Sequence, residues 1–399
     1  MLAKHPHSWI DGIIFCCLCF IPTNIFFFDG LDSITLSVLT PLIFLYALYT
    51  NREYVNSRDL TLVVVWFLWI VITSFTAVSP SASFKLLRVI SGGLMMGGIY
   101  YLLAHKEKNI PYLYAAYIVI LIAEVYYATN VLAIDTVETT MRANDSKLNA
   151  NSLAYMTFYS ICGIFVIGDM VDDKYKKIFY LLFFAVVPIS VFIAFITASR
   201  QVLPTSLSVW VVLFVIRYMG RFSVKGTLVF IVAAIISYYA YINVFLPMYS
   251  GSLLELRTEG TDQTDTRFLV LEEAMNVALD NILMGIGPGN FASMSRWGIF
   301  THNSYMEILV SSGIIGLMLY VAIIWRFLQN QYRRWKITHD KMFLSLLIIG
   351  AFWAAYNVLY VFYVGVFLIP FFFLLMGHSD CIWRKYLLNR KSLIVSQNR

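Results

Sequence analysis

The chain has 399 residues, 60% of them hydrophobic and 13% charged, with a formal net charge of +6. Soluble domains carry about 25% charged residues, and a mean hydropathy of +0.73 leaves too little polar surface to cover a soluble globule. The positive balance is the inward charge bias of a membrane protein rather than a nucleic-acid footprint.

Apolar runs of about 20 residues read as spanning helices. In chain order they fall at 9–28, 32–50, 60–79, 84–104, 110–130 and 150–169, then 178–198, 201–218, 225–247, 302–326, 342–358 and 360–377. The fold class expected is all-α: a polytopic membrane protein of about 12 transmembrane helices, forming one domain over 1–399. The first run follows a short polar start without a small-residue cleavage site and reads as a retained helix. Asp29 and Asp32 lie in the first loop. Two carboxylates without a histidine make a thin metal site, and capping of the second helix is the plainer reading. Cys16, Cys17, Cys19 and Cys162 fall in apolar segments and Cys381 near the C-terminus, so no disulfide framework or CxxC spacing is present.

Lysine and arginine placement sets the direction. With the N-terminus inside, Lys85, Arg88, Arg142, Lys147, Arg200, Arg257, Arg267 and Arg296 fall outside, and the other 21 of the 29 basic residues fall inside. Both termini are then cytoplasmic, and the segment 248–301 is a large external loop.

Charges at membrane depth are functional suspects. Arg200 ends the seventh helix in Thr-Ala-Ser-Arg; its bland reading is a snorkelling arginine. In the external loop, Phe268, Leu271, Met275, Ala278 and Ile282 follow helical spacing, which predicts an amphipathic helix packed through that face. Thr264, Asp265 and Thr266 are caps, and Arg267 then occupies the first turn. A helix N-terminus with a guanidinium suits phosphate oxygens, although Arg267 could equally pair with Asp265 or Glu272. Gly285-Ile-Gly-Pro-Gly-Asn-Phe291 alone reads as a tight loop. His302-Asn-Ser-Tyr-Met-Glu307 opens the tenth helix, with His302, Met306, Leu309, Gly313 and Gly316 on one face as a close-packing seam. His302 is the one histidine expected outside. Glu307, a turn deeper, would orient it or pair with an arginine.

This order of Ser-Arg at a helix end, Arg in an external loop, Gly-x-Gly-Pro-Gly-Asn-Phe and then His-Asn-Ser-Tyr with Glu307, Gly313 and Gly316 resembles the O-antigen ligase and polymerase superfamily of bacterial membrane glycosyltransferases. Arg142 with Asn149-Ala-Asn151-Ser resembles the upstream element of that family, with Ala150 where proline is frequent. The motifs cover residues 142–317. The resemblance implies a GT-C-like fold and a metal-independent, inverting glycosyltransferase without cofactor. Its donor would be an undecaprenyl-diphosphate-linked oligosaccharide. Its acceptor would be a lipid-linked glycan or lipid A–core, and its partners the bilayer and a chain-length regulator, with no nucleic acid. Carried over by position, Arg200 and Arg267 hold the donor diphosphate, and His302 acts on the acceptor hydroxyl or helps to orient it. Lys85 and Arg88 are candidates to extend the anion site. Arg142, Asn151, Gly287, Asn290, Asn303 and Glu307 are further substrate-binding candidates.

On this topology the outer face holds eight basic residues against fourteen acidic ones, a net of −6. Such a face docks a polyanionic lipid A–core poorly, which favours a polymerase over a ligase. A flippase is the alternative of another class; it would often show two similar halves with broken helices, and no such symmetry is visible.

Overall fold

The computed structural model describes residues 9–28, 31–55, 57–131, 150–199, 202–218, 239, 241–250, 252, 255, 266–361, 363 and 368–397. Every regular element among them is helical. Six helices are long and apolar enough to cross a membrane, and four more apolar helices are shorter. The protein is therefore a membrane protein. Of the twelve expected spans, the one at 225–247 falls mostly outside the described residues.

The chain divides into two compact units. The first, Met1–Gly30 with Tyr114–Asp262, contains α1 (Trp9–Phe27), most of α6 (Ile110–Tyr126), α7 (Ala150–Met170), α8 (Asp173–Thr197), α9 (Val202–Tyr218) and the single turn α10 (Leu246–Tyr249). Here α7 packs on α8 and α9. Arg217, near the end of α9, is buried, bonded to the Phe165 carbonyl at 2.8 Å and to Asp169 at 2.7 Å. The Phe165 and Tyr180 rings cover its guanidinium. The charge is compensated within the unit.

The second unit, Leu31–Leu113 with Gln263–Arg399, holds the remaining helices. These are α2 (Leu31–Ile34), α3 (Thr40–Thr50), α4 (Arg58–Phe75), α5 (Pro80–Ala104), α11 (Thr266–Asp280), α12 (Asn290–Met294), α13 (Ser304–Thr338), α14 (Lys341–Tyr356) and α15 (Ile369–Gln397). α15 lies along α5, α13 packs on α4 and α14, and α11 packs on α13. Small residues set the closest approaches: a Cβ at Gly97 of α5 would press on the Phe373 ring, and one at Gly377 of α15 on the Tyr101 carbonyl.

Three sequence expectations need correction. The run 32–50 is not one α-helix, because a π-helical turn at Thr35–Leu39 separates α2 from α3. The tenth predicted helix does not stop at 326 but continues to Thr338. Polar partners carry it on: Arg326 pairs with Asp59, and Arg334 pairs with Asp380 at 2.6 Å while donating to Ser379. The last helix begins at Ile369 rather than 360. Just after α14, the Asn357 and Tyr360 carbonyls accept from the Ser304 amide and hydroxyl, at 2.7 and 2.8 Å.

Candidate functional site

The site is built around a break in α13. Gly313 has φ 67° and ψ −172°, a non-helical conformation inside the helix and one that is essentially restricted to glycine. A Cβ there would collide with the Leu283 carbonyl. The expected seam through Gly313 is thus replaced by a backbone-on-backbone approach of the preceding loop. Breaking a helix exposes backbone groups that must find other partners. Here the Val310 and Ser311 carbonyls accept from the Ile286 and Gly287 amides, both at 2.9 Å, and the Ile314 amide donates to the Ile282 carbonyl at 2.7 Å. The Trp69 indole donates to the Ser312 carbonyl at 2.8 Å. The glycine-rich loop is, in effect, a short strap bonded into the gap in α13.

The same strap is tied to the turn between α4 and α5. The Val78 amide donates to the Ile286 carbonyl at 3.2 Å. Asn290 is fully buried: its oxygen accepts from the Ser79 amide and its amide donates to the Ser83 hydroxyl, both at 2.8 Å. Ser83 in turn donates to the Pro288 carbonyl at 2.9 Å. Gly287, with φ 88°, leaves no room for a side chain against Ala77. Asn290 and Gly287 therefore hold the strap in shape, and neither offers side-chain surface to a ligand.

His302 sits just before α13 with φ 54°, a left-handed conformation in which histidine is several-fold enriched among non-glycine residues. It is half-buried, and its neighbours fix it from both sides. The Thr301 hydroxyl donates to the Asn303 carbonyl at 2.9 Å, and the Asn303 side-chain oxygen caps α13 by accepting from the Tyr305 and Met306 amides. The Tyr305 hydroxyl donates to the Ala354 carbonyl at 2.8 Å. Glu307 is fully buried; one carboxylate oxygen accepts from the Thr301 amide at 2.9 Å, and the other has no hydrogen-bond partner. Glu307 makes no ion pair among the described residues, and the bond it does make holds the backbone at Thr301, next to His302.

Arg267 lies in the first turn of α11, and a single apolar cluster joins that helix to the strap and to α13. Val270, Ala274 and Ala278 of α11, Ile286 and Phe291 of the strap segment and Val310 of α13 are buried together, with Met306 and Leu309 packed against them. This shifts the predicted packing face of α11. Ala278 packs as expected, but Phe268 and Met275 are exposed at 70% and 41%, and Val270 and Ala274 take their place beside Ala278. The smaller side chains permit the closer helix contact, and the larger ones are left at the surface.

Of the other candidates, Lys85 and Arg88 are exposed on α5, and Arg88 donates to the Ser37 hydroxyl at 2.6 Å. Asn151 lies in the first turn of α7. Arg200, Arg142, Asp265 and Asp29 lie outside the described residues. The second unit therefore brings together His302, Asn303, Glu307, Gly287, Asn290 and the helix carrying Arg267. Sequence reasoning did not single out Thr301, Ser79, Ser83 or Trp69. Thr301 next to the histidine was the one local signal; the others act across more than two hundred positions.

Residues 183–321 match a family model described as O-antigen ligase. The matched stretch contains Arg200, Arg267, the strap and the His302–Glu307 segment. The match supports the resemblance drawn from the motifs, and an O-antigen ligase or polymerase type of function with it. No curated protein matches the chain.

Proposed function

We propose that the protein is an inverting, metal-independent glycosyltransferase of a bacterial inner membrane, acting at the external face of about twelve helices with both termini cytoplasmic. Its donor is a glycan on undecaprenyl diphosphate, and its reaction is polymerisation of surface polysaccharide. The observation that carries this reading is the joining of α11, with Arg267 in its first turn, to the strap and the His302 segment as one packed body.

In the proposed reaction the acceptor hydroxyl oxygen attacks the anomeric carbon of the donor. The bond from that carbon to the phosphate oxygen breaks, and lipid diphosphate leaves with the electron pair. Charge grows on the leaving oxygens. Arg200 and Arg267 neutralise it through the planar fork that suits phosphate, with Lys85 and Arg88 as supplementary cations. The acceptor proton passes to the His302 imidazole, whose unprotonated ring nitrogen can accept it. Thr301, Asn303 and Glu307 fix the backbone that carries that imidazole.

The ligase reading differs only in the acceptor. The net charge of −6 on the proposed outer face opposes a phosphate-bearing acceptor, which is why polymerisation is preferred. The family description keeps ligation as the second reading. A deletion strain separates them. We predict that single repeats will accumulate on the lipid carrier or on core; full-length glycan stranded on the carrier would establish ligation instead.

A further inference from the structure

The second unit contains a cavity of about 550 Å³, away from the strap and the His302 segment. That volume lies within the range of about 300–1,000 Å³ typical of small-molecule sites. Phe44 and Leu48 of α3, Leu60 and Val64 of α4, and Leu94 and Leu102 of α5 form its walls. The two polar side chains in the wall spend their donors on nearby backbone. The Thr61 hydroxyl donates to the Ser57 carbonyl at 3.1 Å and the Ser91 hydroxyl to the Leu87 carbonyl at 2.8 Å, each within or beside its own helix. A lining so largely apolar takes hydrocarbon. The wall residues Val64 and Val65 are exposed at 54% and 43%, so the cavity opens sideways, where lipid chains lie in a membrane.

One end of the cavity is marked by charge. Its wall includes Val55, in the connection between α3 and α4. Arg52 and Arg58 stand three residues to either side, both exposed and neither in an ion pair among the described residues. Arg384 of α15 stacks over the adjoining Tyr54 ring at 3.8 Å. The carboxylates nearby are Glu53, which is exposed, and Asp59, which is already paired with Arg326. An apolar cavity ending at cations matches a lipid with hydrocarbon chains and an anionic head. The charge count puts this end of the helices in the cytoplasmic leaflet, where anionic phospholipids attract basic residues.

We infer that this cavity binds an acyl chain of an anionic phospholipid, with the lipid phosphate held by Arg52 and Arg58. The site is separate from the proposed donor site and does not depend on the transferase reading. It gives the α3–α4–α5 group a fixed lipid partner at the opposite end of its helices from the strap.

The test uses the full chain purified in mild detergent, incubated with dioleoyl-phosphatidylglycerol or dioleoyl-phosphatidylcholine and examined by native mass spectrometry. The expected result is retention of one phosphatidylglycerol, about tenfold or more in preference to phosphatidylcholine. Leu60→Trp, which fills the cavity, should abolish retention of either lipid. The surface double variant Arg52→Gln/Arg58→Gln, which leaves the packing untouched, should retain both lipids equally. Equal retention by the unaltered protein would overturn the inference. So would undiminished preference in the arginine double variant, or a tightly held polyprenyl lipid that phosphatidylglycerol does not displace.

Discussion

Arg267→Ala is expected to lower glycan transfer by about 10²–10³-fold, the usual effect of removing one preorganised group that stabilises developing negative charge. The packing of α11 supports a specific form of this prediction. Arg267 lies outside the Val270, Ala274 and Ala278 stripe that holds the helix against α13. Its truncation should therefore leave α11 packed on α13 while activity falls. Arg267→Lys keeps the charge but loses the planar fork, and should recover only part of the rate. The discriminating measurement is kcat and KM together on a polyprenyl-diphosphate donor. A loss confined to KM would mean that Arg267 binds the ground state and the transition state equally and does not stabilise the transition state specifically.

Gly313→Ala is expected to have the largest structural effect of any single methyl addition near the site. The backbone conformation alone costs about 1–3 kcal/mol for a non-glycine residue, and the new Cβ also meets the Leu283 carbonyl. Relieving that collision displaces the strap, which endangers the bonds from Ile286, Gly287 and Ile314. Each buried polar group left unpaired adds about 1–3 kcal/mol. Gly92→Ala, within α5 of the same unit, is the control. Its added Cβ meets only the Leu36 side chain, at an ordinary contact distance of 3.7 Å, and alanine is the better helix former. We predict a large fall in melting temperature and in transfer for Gly313→Ala and a small change for Gly92→Ala. Similar melting temperatures for the two variants would show that the break in α13 does not hold the strap.

Gly313 and Gly316 of α13 also show what the sequence could convey. Both read as small residues on one helix face, and the spacing was right for a seam. Nothing local distinguished the glycine that breaks the helix from the one that stays within it, because the difference lies in what approaches from residues 282–287. The His-Asn-Ser-Tyr segment was more legible. Asn303 as a cap and His302 at the helix mouth follow from adjacent residues. The partners of Asn290, in contrast, lie 207 and 211 positions away, and Trp69 meets Ser312 across 243. On α11, periodicity found the helix and the packed Ala278 but misplaced the rest of the stripe, since hydrophobicity does not report which side chains are small enough to pack. The membrane class was legible because composition alone enforces it; the interruption at Thr35–Leu39 left no mark in the hydropathy.

The central claim is that the His302 imidazole serves transfer from a lipid diphosphate. His302→Asn tests it most directly, because asparagine tolerates the left-handed backbone that alanine would strain. The unaltered protein and this variant would be reconstituted in liposomes with an undecaprenyl-diphosphate-linked repeat, and the chain length of the product measured. The expected result is a variant with an unchanged melting temperature that leaves the glycan as single repeats on the carrier, its rate reduced by about 10²-fold or more. Full-length product formed at the unaltered rate would contradict the account.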